Sequence, residues 1–207
     1  MFNKPRLFAV CTALVLLFSI WMTYAQNLNA DITGSVLRLH IRANSDTPSD
    51  QELKIKVRNR ILEECGGWFA SAKSPAESAQ IARDRLAEIQ AIAEDEIARR
   101  GYHYPVTVTV GDARFPTRSY GSVILPAGKY QALQIAIGDG AGQNWWCVMY
   151  PPLCLVDGVT SMPADSEEKL RDTLTDAEYQ MITETNEAPE IQVRFKIAEL
   201  VGQYLQR

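Results

Sequence analysis

The sequence predicts an α+β fold: two helices in its first half, packed on a small, mainly antiparallel sheet, with a further helix closing the chain. Three observations carry this expectation. Two segments between residues 47 and 101 show helical apolar spacing bounded by cap residues. From Tyr104 onward the apolar residues recur every second position instead. The turns between these alternating stretches are short and rich in Gly and Pro, which suits hairpins and leaves no room for the helical crossovers of a parallel sheet.

The chain opens MFNKPR and then runs from Leu7 to Met22 without a charge. Lys4 and Arg6 precede this apolar run, and Thr23-Tyr24-Ala25 follows it as a small-x-small sequence. That is the layout of a secretory signal peptide over residues 1–25. The alternative is an uncleaved N-terminal membrane anchor, although the run is shorter than the ~20 residues that span a bilayer comfortably. Residues 26–156 with 190–207 then form one domain, around an acidic flexible or partly helical insert at 157–189.

Within that domain VLRLHIRA, residues 36–43, alternates strictly from Leu37 and predicts a strand with one polar face. Arg38, His40 and Arg42 line that face. It reads either as a solvated outer surface or as a surface for acidic groups or lipid headgroups. Thr47 then caps a helix with Pro48 in its first turn, which should stop at Gly66-Gly67. Ser74-Pro75-Ala76-Glu77 has capping-box spacing and opens a second helix. Ile81, Leu86, Ile89, Ile92, Ala93 and Ile97 give it a buried side, and Arg99-Arg100-Gly101 ends it.

Pro105–Val110 predicts a strand ending at Gly111-Asp112, and residues 115–125 a second extended stretch closed by Pro126-Ala127-Gly128. Residues 129–137 alternate through Leu133, Ile135 and Ile137, and WWCVMY returns as another strand after GDGAGQN. Gly138, Gly140 and Gly142 lack the spacing and the following helix of a dinucleotide loop, so this segment reads as a hairpin loop. The closing EIQVRFKIAELVGQYLQR has both strand-like and helical spacing, and its length favours helix.

Composition narrows the function. The chain has 21 Lys and Arg against 25 Asp and Glu, and no basic block, which argues against a nucleic-acid partner. Cys147 and Cys154 lie too far apart for a zinc knuckle, and His40 and His103 are remote from both in sequence. In an oxidising compartment these two cysteines are the natural disulfide, with Cys65 left over. No spacing suggests a nucleophile beside its base, so neither a thiol enzyme nor a cofactor or metal site is expected. Trp145 and Trp146 are adjacent on a strand and must point to opposite faces. Either both are buried in core or loop packing, or one enters the core while the other is free to anchor a partner, or to stack on cell-wall glycan in a peptidoglycan-binding module.

Taken together, LRLHIRANSD, FPTRSYGSVILPAGKY and NWWCVMYPPLC closely resemble the stage II sporulation protein R family of endospore-forming bacteria. The resemblance covers about residues 37–157 and resumes in QVRFKIAEL. It implies an exported signalling protein and not an enzyme. Such a protein is made in the forespore and secreted across its membrane into the space facing the mother cell. There it activates a membrane-bound aspartic protease, which removes the pro-sequence of the mother-cell sigma factor. The resemblance carries over no catalytic residue.

Closing the short loop from Cys147 to Cys154 should stabilise the fold by about 2.5 kcal/mol on the chain-entropy estimate. Denaturant unfolding of Cys154→Ser at neutral pH is expected to show a loss of about that size, with the m-value unchanged.

Overall fold

A computed structural model describes residues 4–154 and 164–183. Its elements in chain order are α1 (Lys4–Gly34), β1 (Leu37–Arg42), α2 (Pro48–Ala70), α3 (Pro75–Asp84), α4 (Leu86–Arg99), β2 (Val106–Phe115), β3 (Arg118–Tyr120), β4 (Val123–Leu125), β5 (Gly128–Ile137), β6 (Asn144–Tyr150), α5 (Ala164–Thr173) and α6 (Asp176–Thr183). Helices and a mainly antiparallel sheet combine as α+β.

Four strands form the main sheet in the order β2-β5-β1-β6. β2 pairs antiparallel with β5 and β1 antiparallel with β6, but β1 and β5 run parallel. The GDGAGQN segment is therefore not a hairpin. It crosses the end of β1, carrying the chain from one neighbour of β1 to the other. The physical reason lies in β1 itself: all of its residues but Arg42 are buried, and a strand covered on both faces takes a central place in the sheet.

On one face α2, α3 and α4 cover the sheet. Leu53, Val57, Ile61, Cys65 and Phe69 recur every four residues along α2 and meet Leu39, Ile41, Leu133 and Ile135 from the strands. The N-caps are as expected: the side chains of Thr47 and Ser74 accept from the Asp50 and Glu77 amides. Gly101 ends α4 at φ 80°, a left-handed turn that favours glycine.

Two expectations for these helices are corrected. α2 does not stop at Gly66-Gly67 but continues to a C-cap at Ser71. The added turn buries Phe69 in the core and sets the Trp68 ring 4.4 Å from the Arg85 guanidinium. The second predicted helix is two, broken at Arg85, where φ −117° and ψ 19° leave the helical range. The bend lets Ala79 and Ala82 of α3 and Ile89, Ala93 and Ile97 of α4 all reach the same core.

The opposite face carries a second core. β3 and β4 form a separate two-stranded sheet where one extended stretch was expected, and β2 runs on past Gly111 to Phe115. Val123, Leu125, Phe115 and Tyr130 pack there with Ile32 of α1 and with Leu170 and Ile182 of α5 and α6. The part of the acidic insert that α5 and α6 occupy is thus helical and packed. Its remainder, and the expected closing helix at 190–207, lie outside the described residues. α1 continues past Ala25 to Gly34, with Leu14, Val15, Leu17, Phe18 and Trp21 exposed along it. Among the described residues no helix is long and apolar enough to cross a membrane.

The glycines supply a paired test. Gly67 lies inside α2 with open space where a Cβ would sit, so Gly67→Ala should stabilise by about 0.5–1 kcal/mol. A Cβ at Gly142 would overlap the Ser45 carbonyl, so Gly142→Ala should destabilise by about 1–3 kcal/mol. Thermal unfolding of the two variants should shift in opposite directions.

Candidate functional site

Arg38, His40 and Arg42 share one face of β1, as the alternation requires, and it is the face away from α2–α4. They do not form a solvated stripe. Arg38 is fully buried and His40 is 8% exposed, while Arg42 alone reaches solvent. The cause is the hairpin β3–β4 and the end of β2, which fold over the Arg38 end of the face.

The Arg38 guanidinium lies 4.3 Å from the Phe115 ring centre, 4.8 Å from that of Tyr130 and 5.4 Å from that of Tyr120. Its Nε donates to the Cys147 carbonyl at 3.0 Å and one Nη to the Tyr120 hydroxyl at 2.7 Å, while the other Nη, on the Tyr130 side, makes no well-aligned bond to a described residue. Burial lowers the Arg38 pKa, against the opposing pull of Tyr120 and Tyr130. The same burial pushes Tyr130 up to about 12 and raises Tyr120, so both phenols stay neutral beside the cation. Rings and dipoles hold this charge, and among the described residues no carboxylate pairs with it.

One rung along, His40 Nε2 lies 2.7 Å from Asn144 Oδ1, and the imidazole stacks on Trp146 at 4.0 Å. His40 Nδ1 is buried without a partner among the described residues. Burial lowers the His40 pKa; the Asn144 bond opposes this and Arg42 adds to it.

Beyond His40 the face opens. Two rungs cross all four strands there: Thr109, Gln134, His40 and Trp146, then Thr107, Ala136, Arg42 and Asn144. Thr107, Thr109, Arg42 and Asn144 are exposed, and Gln134, Ala136 and Trp146 half-buried. Sequence reasoning missed Thr107, Thr109, Gln134 and Asn144. The alternating VTVTV and QALQIAI contained the parity that aligns three of them, but not the register that sets them beside β1.

Trp145 turns to the helical side, where the Arg58 guanidinium sits 4.1 Å from its ring. Both tryptophans are half-buried, one against each core. Cys147 and Cys154 form a disulfide with Cα atoms 5.4 Å apart, across a bend with a cis Tyr150–Pro151 bond. That bend returns the Leu153 amide to the Val148 carbonyl. Cys65 is buried in the helix-side core, its thiol pushed up to about 12 by burial, with Glu88 and Glu64 adding to the rise. His40 lies on the other side of the sheet, so the fold keeps this thiol and this imidazole apart. Among the described residues no three His, Cys, Asp or Glu side chains gather to hold a metal ion.

Asn44, next to β1, ties the far end of the sheet. Its Oδ1 accepts from the Asp139 amide and its Nδ2 donates to Asp50. Lys54 donates to the Gln143 carbonyl, and Gln143 N–H to Asp46. The loop over the end of β1 is thereby fixed to the first turns of α2.

A depressed His40 pKa means that the unfolded chain takes up a proton at higher pH than the folded one. Stability should therefore fall as pH drops through the ordinary imidazole value near 6.5 toward the folded value. Denaturation midpoints between pH 7.5 and 5.5 should show this loss, and His40→Gln should flatten it.

Comparison with known proteins bears on these same residues. The family model described as "Stage II sporulation protein R (spore_II_R)" matches residues 33–160. Stage II sporulation protein R of Bacillus subtilis (strain 168) is 38% identical over 133 residues, which cover 64% of this chain and 59% of that protein. The chain thus spans about three-fifths of that relative's length. No solved structure matches. The chain belongs to the stage II sporulation protein R family.

Proposed function

We propose that this stage II sporulation protein is an exported signal that works by contact and not by catalysis. It crosses the forespore membrane and activates a membrane-bound aspartic protease in the opposing mother-cell membrane. That protease then removes the pro-sequence of the mother-cell sigma factor, so that gene expression in one compartment follows events in the other. The observation that carries this reading is the family match, which spans β1 through β6 and the disulfide that closes the sheet's edge. A disulfide that staples a sheet edge suits a chain working in an oxidising compartment. The apolar, exposed surface of α1 suits export or tethering at a membrane.

Co-expression in a non-sporulating host tests the reading. The full chain, expressed with the protease and the pro-sigma factor, should yield the processed sigma factor on a blot, and a chain lacking residues 1–25 should not. No processing with the exported chain folded and both other proteins present would refute it. Affinity for purified peptidoglycan, measured by pull-down, would then point to wall binding.

A further inference from the structure

The half of the sheet face toward Arg42 is open. Its two rungs present Thr107, Thr109, Gln134, Arg42 and Asn144, with Trp146 at the border. There is no carboxylate in either rung, in a chain whose net charge is −4. Arg42 is exposed, and no described residue pairs with it. Gly140, at φ 60°, passes beside its guanidinium, where a Cβ would lie 3.5 Å from Arg42 Cζ. Among the described residues two further groups on this face lack a hydrogen-bond partner, His40 Nδ1 within the first of these rungs and one Nη of Arg38 in the rung beyond it, both buried. The Arg38 cation, buried beside this open polar surface, adds to the positive potential that Arg42 gives it.

From this we propose that the open half-face receives a carboxylate side chain on an acidic loop of a partner protein. Arg42 is the charged contact, Gln134, Asn144 and the two threonines bond the loop's polar groups, and Trp146 packs against its stem. Four strands at ~4.8 Å spacing and two rungs give a patch about 15 Å by 7 Å, the footprint of one loop. A complete interface needs several times that area, so this patch is the anchor within a larger contact. A lipid surface fits it less well, because the exposed positions are polar and carry a single cation. Glycan fits less well too, because Trp146 already has one ring face stacked on His40. The site chemistry stands on the structure; that the loop belongs to the protease rests on the activator reading above.

The test uses the full chain in two assays. In the first, N-acetyl-tetraglutamate amide is titrated while NMR follows the Arg42 and Trp146 side-chain N–H signals. Saturable shifts confined to the open half-face are expected, with affinity at least ten-fold weaker in Arg42→Glu. Arg83→Glu, on the helical side, should bind as the unaltered chain does. No shifts, or equal affinity in Arg42→Glu, overturns the proposal. So does an Arg42-dependent response to phosphatidylglycerol vesicles or to soluble muropeptides in place of the peptide. In the second, sigma-factor processing should fall at least ten-fold with Arg42→Glu and stay unchanged with Arg83→Glu. Undiminished processing by Arg42→Glu overturns the assignment of this face to the protease. Peptide binding at the face with no processing by the unaltered chain would leave the site standing and refute the activator reading alone.

Discussion

Arg38 holds the second half of the molecule in register. A buried guanidinium that no described carboxylate neutralises is a costly thing to build, several kcal/mol in desolvation alone. Here its rings come from the end of β2, from β3 and from β5, and its Nε bond goes to β6. Five strands therefore meet at one side chain, counting β1 itself. Each cation–π contact contributes about 0.5–2 kcal/mol, and the bond to the Cys147 carbonyl adds to that. Leucine at this position would fill space without specifying which ring belongs where.

That arrangement explains why the face of β1 divides. Toward Arg38 the face is closed by the hairpin, by Phe115 and by the helices after the disulfide. Toward Arg42 it is open, and the register of four strands lays out two rungs of hydrogen-bonding side chains. His40 sits on the boundary, stacked on Trp146 and edge-on to Phe115. The covered half stabilises the fold and the uncovered half is free to recognise something, with one strand supplying both.

Local signals were legible in the sequence wherever a single residue's backbone chemistry decides the outcome. Thr47 and Ser74 cap, Gly101 turns left-handed, and Cys147 finds Cys154. What alternation could not reveal is what lies over a face. Arg38 and Arg42 are indistinguishable by parity, yet one is fully buried and the other exposed, because a hairpin some 80 residues later covers the first. The parallel pairing of β1 with β5 was hidden for a related reason: short turns report on neighbours in sequence, and β1 enters the sheet from far away. Gly66-Gly67 misled because a glycine pair stops a helix only when the following residues gain nothing by continuing, and Phe69 gains a place in the core.

The position of β1 also governs the order in which the molecule can assemble. Its two sheet neighbours lie some 90 to 110 residues further along the chain, as the 109-residue span between Arg38 and Cys147 shows. Contacts of that range close slowly, because a long loop must be ordered before any pairing rewards it. A chain emerging N-terminus first therefore keeps β1 without its strand partners until β5 and β6 have followed. The hairpin-like pair of β2 and β5 needs no part of β1, but the four-stranded sheet cannot close around β1 until β6 has followed.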